Sequence, residues 1–156
     1  MSLADVARVH EIDKLSFNLS WSERSYRFEI TENQNSINLV AEVSESGDQS
    51  SVIGMIVLWV ILDEAHIATI AVHPDYRGCG IGKKLLANGL AAAYNRGARL
   101  AYLEVRKGNL TAQNLYDKFE FKVVGNRPRY YKDNNEDALL MTLDNLQIEQ
   151  LHILTR

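Results

Sequence analysis

Cysteine is nearly missing from this chain. Cys79 is the single one in 156 residues, so no disulfide forms within the chain and the residue usage fits a reducing compartment. Glycine and proline are also sparse. Nine glycines and two prolines fall below the combined share of roughly 12% usual in globular chains, which excludes a collagen-like or low-complexity protein. Long apolar runs are lacking too: the longest, Met55 to Leu62, spans eight residues, against the roughly 20 a membrane helix requires. The start, Met-Ser-Leu-Ala-Asp, has no basic segment followed by an apolar core, so no secretion signal is expected. Nor is there an excess of positive charge. At a formal net charge of −3, no global field draws the protein to nucleic acid or to an anionic membrane. What remains is a cytoplasmic protein with neither nucleic acid nor membrane among its expected partners. Its 46% hydrophobic content and its length are enough for one domain with its own core.

The apolar spacing orders that domain. Val6, Val9, Ile12 and Leu15 recur at helical spacing and predict a helix from about Ala4 to Leu15. Ser22 is placed to cap a second helix that begins at Glu23. Ile37 to Val43 and Val52 to Leu62 read as strands joined across a polar turn, and Ala65 to Val72 as a third. A long helix follows, with Ile81, Leu85, Leu86, Leu90, Ala93 and Tyr94 on one stripe and Gly97 as its stop. Leu100 to Val105 reads as a strand, Thr111 to Phe119 as a helix, and Phe121 to Val124 and Leu139 to Leu143 as closing strands. The order αα-βββ-α-β-α-ββ predicts an α/β fold, a mixed sheet with helices on its faces. Residues 1–144 form the expected single domain. The tail, residues 145–156, has leucine spacing that fits a short helix packed on the body or on a second copy.

Between the third strand and the long helix lies Arg77-Gly78-Cys79-Gly80-Ile81-Gly82-Lys83. Glycines permit backbone torsions that turn successive N–H groups inward, and a helix N-terminus adds roughly half a positive charge. Flanked by Arg77 and Lys83, such a nest suits a phosphate or pyrophosphate. The common phosphate motifs do not match. A dinucleotide fingerprint starting at Gly78 needs glycine at Lys83; a P-loop needs glycine at Arg77 and Ser or Thr at Lys84. No His-Arg-Asp or Asp-Phe-Gly follows, which excludes a kinase loop.

The run Ile70-Ala71-Val72-His73-Pro74-Asp75-Tyr76-Arg77-Gly78-Cys79-Gly80-Ile81-Gly82 resembles the acetyl-CoA signature of the GNAT N-acetyltransferase superfamily, an apolar strand, a proline turn and (Arg/Gln)-x-x-Gly-x-(Gly/Ala) opening a helix. The likeness continues through Leu103-Glu104-Val105-Arg106, Asn109, Leu115-Tyr116-Asp117-Lys118-Phe119-Glu120-Phe121, Arg129-Tyr130-Tyr131 and Asp137-Ala138-Leu139-Leu140-Met141. Within the superfamily it is most similar to the RimI branch, whose members acetylate the N-terminal alanine of a small-subunit ribosomal protein. There are departures. Too few residues precede the first helix for the family's opening strand, so that strand is expected to be short or missing, either lost or trimmed away with Met1-Ser2-Leu3 as a remnant. Gly78 stands where the family often has Arg, and Glu120 replaces a usual Gly.

The resemblance implies acetyl-CoA as cosubstrate. The backbone of Ile70, Ala71 and Val72 would pair with its pantetheine arm, with an N–H near Val72 at the thioester oxygen. Arg77, Gly78, Cys79, Gly80, Ile81, Gly82 and Lys83 would surround the pyrophosphate, and Asn109 and Tyr116 would lie near the thioester. Glu104 is the implied general base and Tyr116 the acid for the departing thiolate. Strand alternation independently places Glu104 with Leu100 and Tyr102 on one face at the end of an apolar run, where partial desolvation favours proton uptake. Tyr130 and Tyr131, in the connection between the last two strands, and Trp21 on the opposite wall would bind the acceptor. At a physiological pH of about 7.4 an α-amine is roughly a quarter neutral and a lysine about one part in a thousand, so a carboxylate base suits a protein N-terminus better. Two alternatives stay open: a GNAT enzyme acting on a small amine or an internal lysine, and a non-catalytic acetyl-CoA-binding module. His10, His66, His73 and His152 are scattered without zinc-site spacing, so no metal is expected. Oligomeric state is not legible.

Overall fold

The computed structural model describes residues 1–44, 50–147 and 151. A 3-10 turn at Leu3–Asp5 leads into helix α1 (Val6–Ser16), and among the described residues no strand precedes it. Helix α2 (Glu23–Thr31) starts where the Ser22 hydroxyl accepts the Ser25 N–H at 3.1 Å, satisfying one of the donors a helix start leaves without a partner. Then come strands β1 (Ser36–Ser44), β2 (Ser50–Ile61) and β3 (Glu64–Val72), helix α3 (Ile81–Asn95), strand β4 (Leu100–Arg106), helix α4 (Leu110–Asp117), and strands β5 (Lys122–Tyr131) and β6 (Glu136–Leu143). The element order is the one the apolar spacing predicts.

The six strands form one mixed sheet in the order β1-β2-β3-β4-β6-β5, with helices on its faces. Strand β2 is central enough to be covered on both sides. Ile56, Leu58 and Val60 belong to the core that includes Leu85, Leu86, Leu90 and Ala93 of α3. Met55 and Val57 belong to a second core with Val6, Val9 and Ile12 of α1 and Tyr26 of α2. Burial on both faces accounts for an apolar run where a half-exposed strand would alternate. Gly89 lets α3 settle closely on β2, since a Cβ there would stand 3.1 Å from both Ile56 and Leu58.

Two elements differ from expectation. Strand β5 continues to Tyr131, well past Val124, and β6 begins at Glu136 rather than Leu139. β5 is an edge strand, almost wholly exposed, so it needs no apolar alternation and tolerates Pro128. Tyr130 and Tyr131 therefore sit on strand β5 itself and not in a connection. Glu120, where the family usually has glycine, adopts a left-handed φ of +66°, so the turn keeps its shape at some backbone strain. Residues 45–49 of the polar turn and most of the expected tail helix, 148–150 and 152–156, lie outside the described residues; Leu146 and Leu151 of the tail are buried in the main core.

One pairing shapes the cleft. Strands β3 and β4 run parallel and pair only at Glu64↔Leu100, Ala65↔Ala101 and His66↔Tyr102. Beyond that, β4 keeps its partner β6 as far as Arg106↔Ala138, while β3 stays with β2 to Val72↔Gly54. The β4-facing edge of β3 from Ile67 to Val72 is thus without a strand partner among the described residues. Opposite Val57 and Leu58, β3 holds one extra residue, Ala68, and this bulge lies where the two strands part.

Candidate active site

The turn at the end of β3 is built from backbone. His73 caps a short 3-10 turn at Pro74–Tyr76, its Nδ1 accepting the Asp75 N–H at 3.3 Å. Gly78 and Gly80 then adopt φ of +77° and +78°, and a Cβ on either would meet nothing within 4 Å. Gly80 is the N-cap of α3. The Cys79 N–H closes the turn at Arg77 and Gly78, and the other five N–H groups from Gly78 through Lys83 have no acceptor among the described residues; the next, Lys84 N–H, bonds back to Gly80 O at 3.1 Å. Five free donors at the head of a 15-residue helix make a strong anion site, and a pyrophosphate fits that donor set. Helix α4 borders it: a Cβ on Gly82 would lie 3.5 Å from Leu115.

The Arg77 side chain also ties the turn to its neighbours. Its Nε donates to Val72 O and its Nη2 to Ser16 Oγ, both at 3.0 Å, so its side chain fastens the turn to β3 and α1. Cys79 is exposed, with Sγ 3.7 Å from Arg77 O. Asn109 caps α4, its Oδ1 accepting the Ala112 N–H at 3.1 Å, which leaves its amide nitrogen as the group with donors to offer a ligand.

Across the cleft, β4 alternates as the sequence predicts. Ala101, Leu103 and Val105 enter the α3 core, and Tyr102, Glu104 and Arg106 take the opposite face. Glu104 is half-buried and meets Arg127 Nη1 of β5 at 3.2 Å, an ion pair the sequence reading did not find. The Glu104 carboxylate beside the Tyr130 hydroxyl raises that phenol's pKa, with burial adding to the shift. Burial pushes the Tyr131 phenol up to about 12. Tyr116 is buried against Phe121, with ring centroids 5.9 Å apart, and desolvation raises its pKa, so it stays protonated at neutral pH.

Beyond Glu104, Arg106 gathers the β5–β6 hairpin. Its Nη2 donates to both Asp133 oxygens at 2.9 Å, its Nη1 to Glu136 at 3.1 Å, and its Cζ lies 3.9 Å from the Tyr131 ring centroid. Asp133 also accepts Asn18 Nδ2 at 3.1 Å, which joins the α1–α2 connection to the hairpin over this face of the sheet. Asn18, rather than Trp21, makes that contact. Trp21 stacks on Trp59 (centroids 6.3 Å apart) and its backbone N–H donates to Oδ2 of the buried Asp13 at 2.7 Å. No local pattern could have announced Arg127, Arg106, Asp133 or Asn18, because each acts through a partner distant in sequence or across strands.

An open β3 edge, a free-amide turn heading a helix, and a carboxylate with tyrosines across the gap are an arrangement suited to an acyl-CoA acyltransferase. The match to known proteins agrees: residues 6–121 fit the acetyltransferase (GNAT) family, and the chain belongs to it, an N-acetyltransferase that takes its acetyl group from acetyl-CoA. A Bacillus subtilis (strain 168) protein provisionally named [ribosomal protein bS18]-alanine N-acetyltransferase is 38% identical over 141 residues, 90% of each chain. The crystal structure of the ribosomal-protein-S18-alanine N-acetyltransferase from Escherichia coli superposes with a TM-score of 0.79 at 28% identity, covering 94% of this chain and 92% of that one. The NatC complex bound to Gag peptide and CoA contains a chain that superposes at 0.81 with 26% identity, with 90% of each chain covered.

Proposed function

We propose that this chain acetylates the N-terminal α-amine of a protein, the N-terminal alanine of a small-subunit ribosomal protein, in the cytoplasm. The observation that carries the reading is the pairing of the unpartnered amides at the head of α3 with the open edge of β3, facing Glu104 across the parted strands. The names of the Bacillus and Escherichia relatives support the acceptor, and the peptide-bound NatC structure supports a polypeptide substrate.

In this reading the turn holds the pyrophosphate and the unpaired edge at Ile70–Val72 receives the pantetheine amides as an added strand would. A backbone N–H near Val72 faces the thioester oxygen, where one such donor contributes about 3–4 kcal/mol to the transition state. The acceptor amine attacks the carbonyl directly. Glu104 takes a proton from it, and Arg127 keeps the carboxylate oriented. Tyr116 acts on the departing thiolate as a hydrogen-bond donor: burial raises its pKa, so it holds its proton while the sulfur charge develops. Tyr130 and Tyr131 flank the amine on the β5 side, and the connection carrying Trp21 forms the other wall.

The test compares peptides with a free N-terminal alanine, the same peptides blocked but bearing an internal lysine, and spermidine. Acetylation of the free terminus is expected to dominate, and a preference for spermidine would overturn the acceptor. In the same assay Glu104→Gln should lose about 100-fold or more in kcat while calorimetry shows unchanged acetyl-CoA binding. Unchanged turnover would remove Glu104 as the base.

A further inference from the structure

Successive residues of a strand point to opposite faces of the sheet. Tyr130 and Tyr131 are successive, yet both reach the face that carries Glu104. The Tyr131 ring lies against Arg106, and Arg127, which pairs with Glu104 at 3.2 Å, has its Cζ 5.5 Å from the Tyr130 ring centroid. The two rings themselves meet edge to face, centroids 5.2 Å apart.

The register explains how. β5 pairs Arg127 with Ala138 and next Tyr131 with Glu136, so Pro128, Arg129 and Tyr130 together stand opposite Asp137. The middle residue, Arg129, has φ of +50°, a left-handed conformation that a side chain disfavours. Asp137 sustains it. Its Oδ1 accepts the Arg129 N–H at 2.9 Å, while its Oδ2 accepts Asn126 Nδ2 at 3.3 Å and lies 3.9 Å from Lys107 Nζ. Bulges of this kind re-aim side chains beside active sites.

We propose that Asp137 is a positioning residue for the acceptor: by holding the Arg129 bulge it turns Tyr130 onto the face of Glu104. The proposal rests on the reading of Tyr130 as an acceptor-binding residue. Asp137 touches no reacting atom, and its effect runs through Tyr130.

Two measurements test it separately from that reading. In protein labelled with 13C at the tyrosine ring, with the Tyr130 signal assigned by Tyr130→Phe, Asp137→Ala should bring the Tyr130 titration back toward that of an ordinary tyrosine. An unchanged titration would overturn the proposal. In steady-state kinetics Asp137→Ala should raise the acceptor KM about tenfold, roughly one net hydrogen bond, with kcat and the acetyl-CoA KM nearly unchanged. On a Tyr130→Ala background the same substitution should add little; full multiplication of the two effects would overturn the proposal. Asp137→Asn, which keeps the accepting oxygen, should retain most function. Arg129→Gly should restore Asp137→Ala, since glycine holds a positive φ unaided. A shifted titration with an unchanged acceptor KM would support the positioning and overturn the acceptor role of Tyr130 instead.

Discussion

Replacing Gly80 with alanine isolates the contribution of the free-amide turn. Gly80 has φ of +78°, and the space where a Cβ would stand is open to 4 Å, so the substitution meets no steric obstacle. What remains is the backbone preference, about 1–2 kcal/mol against a left-handed L-residue. That energy lowers the population of the turn in which the amides from Gly78 to Lys83 converge. The apparent Kd rises as the populated fraction falls, so the Kd for acetyl-CoA should rise by up to about 5- to 30-fold. Gly97 supplies the control. It too has a positive φ, +103°, with nothing within 4 Å, but it follows the far end of α3, about 22 Å away along a 15-residue helix. Gly97→Ala should lower thermal stability by a similar energy and leave acetyl-CoA affinity untouched. Titration calorimetry with acetyl-CoA and thermal melts on both variants read the two quantities separately. If both variants bind like the parent, or if Gly97→Ala weakens binding as much as Gly80→Ala, the converging-amide account of this turn is wrong.

Leu86→Ala, at a side chain fully buried between α3 and the sheet, should cost about 2–5 kcal/mol in urea unfolding, and a cost within error of zero would contradict that packing. The hairpin should be acid-sensitive. Hydrogen bonds from Arg106 hold the Asp133 carboxyl below its ordinary range, and the Gly108 N–H followed by Asn134 and Arg106 do the same for Glu136. Both groups bind protons more weakly in the folded hairpin than in an unfolded chain. Their contribution is therefore complete at neutral pH and disappears as pH falls through and below the ordinary carboxylate range. The Tyr131 ring signal, followed from about pH 7 to about pH 3, should report this loosening, and Arg106→Met should weaken the transition, leaving only the part that the Gly108 N–H and Asn134 sustain through Glu136. An identical profile in that variant would refute the link.

Local chemistry sufficed for much of this protein. The spacing of Val6, Val9 and Ile12, the Ser22 cap, and the stripe of α3 ending at Gly97 each depend on residues within a turn or two, so the helices and their order were legible. The glycine turn was legible for the same reason, because a positive φ and a helix start are properties of a short segment. The family resemblance then placed acetyl-CoA at that turn. Tertiary structure decided what depends on register and on distant partners. β5 reaches Tyr131 because an edge strand draws its order from pairing with β6 and not from its own hydrophobicity. The Arg77 side chain binds Ser16, 61 residues away, which no spacing rule could anticipate. Glu104 appeared in the sequence as a lone charge ending an apolar strand, and only the folded sheet set Arg127 and Tyr130 beside it. Short-range patterns specify backbone torsion and burial, whereas the company a side chain keeps is fixed by strand pairing across the sheet.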